Sequence, residues 1–368
     1  MKYKKPDSVI AAIEKREWTE KPYSIQSWGN WLHRMSPYVG RIKPSFAYFL
    51  IEHATSEGDI VLDPFCGIGT IPAEAALNKR KSIGVDLNPY AYSIARAKQD
   101  NKRKKDNLIK YLNGIKIDYK KADISDIPDW VKEYYNQKTL QEIIFLRDKF
   151  KKDRQYLLLG ILIGISQGHR PGHLSKPCAW TLPYKPRPDD KGEYREAIPR
   201  LIQKVERTFT DGFSHMEEMK IIKGDARKLK VDNESVDHII SSPPYYDTLD
   251  YVGSSRLRLA ITGYYDEEEK KALKETLIQK FNTYLDEMEK CISEMHRVLK
   301  KDSYALLIVG DCFRSGKVIN TAEELRPIAE KIGFVCHSII QDEIPMNKSV
   351  QKTSKEQKHD RIMVLTKK

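Results

Sequence analysis

The sequence is poor in cysteine and has no hydrophobic run long enough to cross a membrane. It contains five cysteines, none at C-x-x-C spacing, which argues against a zinc finger or a redox motif. Their odd number and scattered positions are typical of a reducing compartment. The longest apolar run, 156–165, is about half as long as a membrane helix. No apolar signal core follows Met1, and we therefore expect a cytoplasmic protein with no membrane partner.

Acidic residues are also fewer than basic residues. The 368 residues include 52 Asp and Glu against 64 Lys and Arg, which gives a net charge of +12. A positive excess attracts polyanions, so nucleic acid is the first partner to consider. Charge alone fits a basic protein with a solvated surface equally well. The hydrophobic fraction of 40% is enough for one large core.

The chain begins with the alternating strands and helices that are typical of a doubly wound α/β sheet. A strand at 59–62 is followed by a glycine-containing turn at 63–70 and a helix, and a second strand at 82–86 precedes a helix at 89–98. This alternation predicts an α/β fold with a mostly parallel sheet of about seven strands. The first part of that domain is assigned to residues 1–100.

Residues 101–218 interrupt the pattern with helical stretches and a proline-rich polar loop. So much chain is too long for a sheet connection, which predicts an inserted, largely helical subdomain. Residues 219–368 resume the sheet. We expect strands at 221–225, 236–241, 304–309, 334–344 and 361–366, a helix at 321–331, and one long amphipathic helix with apolar residues from Leu273 to Leu299.

The turn at 63–70 reads Asp-Pro-Phe-Cys-Gly-Ile-Gly-Thr and leads from a strand into a helix. Ligands of open α/β sheets bind at such carboxyl ends of strands, where glycine allows the backbone a close approach. Asp86 ends the next strand, about 20 residues on, where an acidic side chain usually holds a ribose diol. Pro72 replaces the third glycine of the dinucleotide fingerprint, which favours a ligand without a pyrophosphate. The alternative is an ordinary glycine turn that caps a core helix.

A second turn, Ser242-Pro243-Pro244-Tyr245, follows the strand at 236–241. Proline fixes φ and lacks an N–H, so the turn is stiff and its carbonyl groups are held in place. Ser242 and the Pro243 carbonyl offer two acceptors, and Tyr245 offers a flat face for stacking. Alone, the motif fits a proline turn that merely ends a strand.

Together the segments 63–70, 84–88, 224–227 and 242–245 resemble class I S-adenosylmethionine-dependent amino-methyltransferases of nucleic acids. The resemblance implies S-adenosyl-L-methionine as the cofactor, no metal, and a catalytic role for Ser242, Pro243, Pro244 and Tyr245. The cofactor-binding residues that it implies are Asp63, Pro64, Phe65, Gly67, Gly69, Thr70, Asp86, Leu87, Asn88, Asp225, Ala226 and Ser241. The segment 36–44 resembles the family segment that closes over the methionine end of the cofactor.

Serine at position 242 is what cytosine-N4 DNA enzymes usually show. The resemblance therefore implies a site-specific enzyme that methylates a flipped cytosine in double-stranded DNA, in a restriction–modification system with a cognate restriction endonuclease as a partner. The insert 101–218 would then recognise the target. Adenine-N6 methylation of DNA, guanine-N2 methylation of transfer RNA and a non-catalytic nucleic-acid-binding subunit are the alternatives. The recognition sequence and the oligomeric state stay open.

The order of the motifs departs from this interpretation, and other segments of the chain are further candidates. Cytosine-N4 enzymes more often place the proline motif before the cofactor motif, whereas here the cofactor motif comes first. Three basic segments, 102–105, 184–187 and 347–359, are candidate DNA contacts. The dipeptide Pro177-Cys178, similar to the nucleophile of cytosine-C5 enzymes, is a weaker candidate because it lies in the insert.

Overall fold

The computed structural model describes most of the chain. The described residues are 4–16, 21, 25, 28–100, 103–179, 192–209, 216–245, 250–278, 280–314, 317–342 and 359–368. The predicted basic segment 184–187 lies outside them, as do residues 347–358 of the segment 347–359 and Lys102 of the segment 102–105. Within these ranges no helix has the length and apolar character that a membrane span requires.

A seven-stranded sheet with the order β3-β2-β1-β4-β5-β9-β8 forms the centre of the fold. The five strands from β3 to β5 are parallel, and β9 lies antiparallel between β5 and β8. The prediction of a doubly wound, mostly parallel sheet is confirmed. The strands are β1 (Ile60–Asp63), β2 (Lys81–Asp86), β3 (Met219–Lys223), β4 (Val236–Ser241), β5 (Leu299–Gly310), β6 (Cys312–Arg314), β7 (Lys317–Ile319), β8 (Phe334–Asp342) and β9 (Asp360–Lys367).

Helices cover both faces of the sheet, as parallel sheets require. On one face Val61, Ile240 and Leu306 pack against α1, α2 and α3, and on the other Leu62, Ile239 and Leu307 pack against α12 and α13. The helices are α1 (Pro6–Glu14), α2 (Pro44–Ala54), α3 (Thr70–Leu77), α4 (Pro89–Gln99), α5 (Lys105–Asn113), α6 (Asp129–Lys132), α7 (Gln137–Lys152), α8 (Tyr156–Ile165), α9 (Ala197–Thr208), α10 (Arg256–Ile261), α11 (Glu267–Thr276), α12 (Tyr284–Val298) and α13 (Thr321–Ile332).

The segment 101–218 contributes α5 to α9, in agreement with its helical pattern. Its apolar run forms α8, of which every residue after Tyr156 is buried. Two glycines of α8 allow close packing: a Cβ on Gly160 would lie 2.3 Å from the Cβ of Ala97 in α4, and one on Gly164 would lie 2.1 Å from the Met35 carbonyl oxygen. One apolar cluster therefore joins the segment to the first part of the sheet domain. The division at residues 100 and 218 stays a prediction.

The expectation of one long helix from Leu273 to Leu299 is wrong. Helix α11 ends at Thr276, α12 begins at Tyr284, and Leu299 already belongs to β5. The backbone at Leu277 is extended (φ −70°, ψ 138°), and Leu277 and Ile278 line a cavity. Burial in the cavity wall overrides the helical spacing of these apolar residues. Strand β3 also begins two residues earlier than expected, and the β6–β7 hairpin was not predicted.

We expect Gly160→Ala to lower the free energy of unfolding. The added methyl group overlaps Ala97, and overpacking costs about 1–3 kcal/mol, whereas helix propensity returns only about 1 kcal/mol. Urea denaturation measures the difference. Gly114→Ala at the end of α5 is the matched control, because its Cβ would lie 3.5 Å from the nearest atom. A Gly160→Ala protein as stable as the wild type would contradict the packing described.

Candidate active site

A cavity of about 880 Å³, which includes the space at its mouth, opens at the carboxyl ends of β1, β2 and β4. This is the edge at which open α/β sheets bind ligands. It brings together most of the residues predicted from the sequence. Those that line it are Asp63, Pro64, Phe65, Gly67, Thr70, Asp86, Leu87, Asn88, Asp225, Ala226, Ser242 and Pro244.

The glycine turn after β1 has two residues in the left-handed region. Gly67 (φ 52°) lies under Tyr38, whose ring would be 3.3 Å from a Cβ at that position. Gly69 (φ 73°) lies away from the cavity, where a Cβ would be 3.0 Å from that of Ala95 in α4. The two glycines therefore have different roles. The missing side chain of Gly67 leaves space in the cavity floor, and the missing side chain of Gly69 allows the start of α3 to pack against α4.

The Asp86 carboxylate lies between two backbone donors in the cavity wall. It accepts hydrogen bonds of 2.8 Å from the amide nitrogens of Gly67 and Asn88. Burial nevertheless raises the pKa of Asp86 to about 7, because the desolvation of the charged form outweighs these bonds. A carboxylate with its amide bonds on one side can accept hydroxyl hydrogen bonds from a ligand on the other.

Asp63 and Ser241 connect the ends of β1 and β4. The Ser241 hydroxyl donates to Asp63 Oδ1 at 2.6 Å, and the Phe65 amide donates to the same oxygen at 3.1 Å. Burial raises the pKa of Asp63 to about 7 despite these bonds, and the nearby Asp86 raises it further. Ser241 is fully buried and does not line the cavity. Its hydroxyl therefore positions Asp63.

Two polar side-chain atoms of cavity residues are buried without a hydrogen-bond partner among the described residues. They are the hydroxyl oxygen of Thr70 and the side-chain nitrogen of Asn88. Asn88 Oδ1 is already used, because it accepts from the amides of Tyr90 and Ala91 at the start of α4. Buried polar groups are rarely left unsatisfied, so this pair indicates a place for a polar ligand.

Asp225 lies at the far wall of the cavity and is held by Arg227. The Arg227 Nε donates to Asp225 Oδ1 at 2.9 Å, and a second guanidinium nitrogen donates to Oδ2. Burial opposes ionisation of Asp225, but the bonds from Arg227 outweigh it and lower the pKa of the carboxyl. Arg227 also binds Glu287, so the Asp225 wall is anchored to α12.

The proline turn after β4 is fastened at two points. The Tyr284 hydroxyl donates to the Pro244 carbonyl at 3.0 Å, and the Tyr245 hydroxyl donates to Asp360 Oδ1 at 2.9 Å. The Tyr245 ring lies against Gly310, where a Cβ would come within 2.6 Å of it. Ser242 and Pro244 line the cavity, whereas Pro243 and Tyr245 are not among its lining residues.

Sequence reasoning left several cavity residues out of the predicted site. Tyr38 and Tyr251 stack across the mouth with ring centroids 6.3 Å apart. Tyr38 belongs to the segment 36–44, whose resemblance was the available signal, whereas no pattern marked Tyr251. Gly40, Arg41 and Ile42 also line the cavity and belong to the same segment 36–44. The other lining residues outside the predicted set are Cys66, Ile68, Ile71, Gly224, Thr276, Leu277 and Ile278.

The weaker candidates lie elsewhere. Cys178 is buried beside Ser175 and does not line the cavity. Burial raises the pKa of its thiol, which disfavours the thiolate that a nucleophile needs. Within the described ranges, no three histidine, cysteine or acidic residues are grouped so as to hold a metal ion.

Comparison with known proteins decides the family. The family model for N6/N4 methyltransferases, described as DNA methylase, matches residues 14–97 and 236–368. These matches cover more than half of the chain and contain both motifs. The chain belongs to this family of DNA methylases. The name of the family model covers both N6 and N4 methylation and does not distinguish them. Its matches leave out the insert 101–218.

Two curated proteins are similar over short stretches. The type II methyltransferase M.MjaII of Methanocaldococcus jannaschii is 32% identical over 88 residues, which is 23% of this chain and 17% of that protein. The orphan methyltransferase M.BamHII of Bacillus amyloliquefaciens is 47% identical over 47 residues, 13% of this chain and 18% of that protein. The alignments thus span less than a fifth of either relative.

Among solved structures, a TehB-like methyltransferase from Corynebacterium glutamicum ATCC 13032 is 13% identical. The alignment covers 88% of this chain and 87% of that one, with a TM-score of 0.34. A likeness at that TM-score carries no weight for function. The family assignment therefore depends on the sequence match alone.

The raised pKa of Asp86 predicts a pH-dependent stability of the ligand-free DNA methylase. A carboxyl with a folded pKa near 7 and an unfolded pKa near 4 favours folding below about pH 4. That contribution is lost as pH rises towards 7. We therefore expect Asp86→Asn to gain stability relative to the wild type as pH rises from about 4 to about 7, measured by urea denaturation. Ser293→Ala, on the exposed face of α12, removes no carboxyl and is the control; an Asp86→Asn profile parallel to the wild type would refute the assignment.

Proposed function

We propose that this DNA methylase transfers a methyl group from S-adenosyl-L-methionine to the N4 amine of a cytosine flipped out of double-stranded DNA. The observation that carries the proposal is one shared cavity. Ser242 and Pro244 of the proline turn line the same space as Asp86 and the glycine turn. A methyl donor bound on the glycine turn would therefore lie beside an amine held at Ser242.

The cavity suits the proposed cofactor. The Asp86 carboxylate would accept the two ribose hydroxyls, and Thr70 and Asn88 would gain the partners that they lack. Asp225 would border the adenine. The segment that contains Tyr38 and Arg41 would close over the methionine end.

The proline turn suits an amine as the methyl acceptor. The lone pair of a base amine is conjugated into the ring, so the enzyme must hold the amine hydrogens and turn the lone pair towards the methyl group. The Ser242 hydroxyl and the Pro243 carbonyl would accept those hydrogens, and Tyr245 would support the stacked base. Because Tyr284 and Asp360 fix the turn, these acceptors are positioned in advance, and positioning supplies most of the rate.

The choice of cytosine depends on one residue. Serine in the first position of the tetrapeptide is usual for cytosine-N4 enzymes, and the family model supports either amine. We also propose that the insert 101–218 recognises the target sequence, since the family model leaves it unmatched. The name of M.MjaII, a type II methyltransferase, supports extending the proposal to a restriction–modification system with a cognate endonuclease.

The experiment that tests the proposal is incubation with methyl-labelled cofactor and separate DNA and RNA pools, followed by nucleoside analysis. We expect labelled N4-methylcytosine from double-stranded DNA. N6-methyladenine from DNA would reject cytosine and keep the amine chemistry. Label confined to RNA would reject DNA as the substrate. Absence of label from both pools, with cofactor bound, would indicate a non-catalytic subunit.

Single substitutions separate the two halves of the site. Ser242→Ala should cut the turnover number by about 10²-fold through loss of positioning, with little change in cofactor affinity. Asp86→Ala should weaken cofactor binding first, measured by calorimetry. Ser293→Ala on the exposed face of α12 is the matched control and should leave both quantities unchanged. A fully active Ser242→Ala protein would show that the tetrapeptide assignment is wrong.

A further inference from the structure

Tyr251 contributes an aromatic ring to the cavity, next to the proline turn. It lines the same space as Ser242 and Pro244, the two residues of the turn that reach the cavity. We propose that Tyr251 supplies the face on which the flipped base stacks while the amine of that base is held at Ser242. This inference rests on the proposed function and moves the stacking face from Tyr245 to Tyr251.

The ring of Tyr245 is engaged elsewhere. Its hydroxyl donates to Asp360 Oδ1 at 2.9 Å, and its ring packs so closely on Gly310 that a Cβ there would lie 2.6 Å from it. Tyr245 is not among the lining residues of the cavity. The hydrogen bond and the close packing fix Tyr245 where its ring supports the proline turn, and a base inside the cavity therefore needs another aromatic face.

The ring of Tyr251 lies between the two halves of the site. Its hydroxyl oxygen accepts a long hydrogen bond, 3.5 Å, from the backbone nitrogen of Tyr245, which is the nitrogen bonded to the Pro244 carbonyl carbon. The ring also stacks on Tyr38, with centroids 6.3 Å apart and planes inclined by 25°. Tyr38 in turn covers Gly67 of the glycine turn, where a Cβ would lie 3.3 Å from its ring. Tyr251 thus connects the proposed acceptor site with the proposed cofactor site.

The Tyr251 hydroxyl stays un-ionised at neutral pH. Burial raises the pKa of Tyr251 to about 12, and the charge of Asp86 raises it further, although the hydrogen bond from the Tyr245 amide opposes this. A neutral ring can stack on a base without placing a charge in a buried site. The influence of Asp86 also indicates that the Tyr251 hydroxyl lies close to the proposed ribose site.

The backbone of Tyr251 is held by the residues around it. The Ser255 hydroxyl donates to the Tyr251 carbonyl at 2.6 Å. The preceding residue, Asp250, accepts from the Gly253 amide at 2.9 Å and from Lys274 of α11 at 3.1 Å. A backbone that is already fixed lowers the entropic cost of ordering the side chain when a base stacks on it.

Stacking on Tyr251 would offset part of the cost of flipping the base. A flipped base loses the stacking of its neighbours in the duplex, which enzymes of this kind replace with aromatic or apolar side chains. Stacking does not distinguish bases strongly, because every base has a π-face. The role of Tyr251 is therefore the same for cytosine and for adenine, and the choice between them lies with the acceptors of the proline turn.

The test is the steady-state methylation of unmethylated double-stranded genomic DNA by the full-length protein. Tyr251→Leu keeps an apolar side chain and removes the flat ring. We expect its kcat/KM for DNA to fall about 10- to 100-fold, as for the loss of one base–aromatic stack. Tyr251→Phe keeps the ring and should retain most of the wild-type value. Equal values for the two variants would overturn the proposal.

Controls distinguish stacking from a general effect on the fold. Tyr265→Leu changes a half-buried tyrosine that packs against the insert and does not line the cavity, and it should keep the wild-type kcat/KM. An equal loss in this control would overturn the proposal. Tyr251→Met, with a flexible apolar side chain, should lose activity as Tyr251→Leu does, and it replaces that variant if leucine lowers the melting temperature.

Cofactor affinity gives a second readout. Calorimetry should show the same affinity for S-adenosyl-L-methionine in the wild type, Tyr251→Leu and Tyr251→Phe. A loss of cofactor affinity in Tyr251→Leu that accounts for its lower kcat/KM would assign the ring to the cofactor and overturn the stacking role.

The outcomes separate this inference from the proposed function. If the wild type labels no DNA, the proposed function fails and the stacking role fails with it. If the wild type labels adenine and Tyr251→Leu alone loses activity, the choice of cytosine fails and the stacking role stands. If the wild type labels cytosine and Tyr251→Leu is as active as Tyr251→Phe, the proposed reaction stands and this inference fails.

Discussion

The hydrogen bond between Ser241 and Asp63 is the contact on which the geometry of the site depends. Strands β1 and β4 are parallel neighbours, with Leu62 paired to Ile239, so their carboxyl ends reach the cavity together. The bond, 2.6 Å long and buried, ties the turn after one strand to the turn after the other. Loss of this bond would disconnect the buried Asp63 carboxyl and the cavity floor from the proline turn. The free energy of unfolding would fall by about 1–3 kcal/mol for the unsatisfied group.

Local chemistry made much of the fold and site predictable from sequence. Alternating glycine turns, strands and amphipathic helices are signals within a few residues, and the ends of β1, β2 and β4 fall within one or two residues of expectation. The positions of Asp86 and of the glycine turn follow from the same local order, because parallel strands bring their carboxyl ends to one edge. These features needed no knowledge of distant contacts.

The features that sequence reasoning missed depend on contacts between distant residues. Leu277 keeps the helical spacing of α11 and α12, yet its backbone is extended and it lines the cavity. The position of Tyr245 depends on Asp360, 115 positions later, which accepts its hydroxyl hydrogen, and on Gly310, which leaves room for its ring. Tyr251 reaches the mouth through stacking on Tyr38. No periodicity encodes such partners, since each depends on how the sheet brings separate segments together.

The insert packs closely against the core of the methylase. Close packing of Gly160 on Ala97 and of Gly164 on the Met35 carbonyl leaves little freedom for α8 to move against α4. The segment after Met35 leads directly to Tyr38 at the cavity mouth, and residues just before it contact α9 through Lys204. The insert therefore supports the segment that supplies Tyr38, Gly40 and Arg41 to the cavity wall.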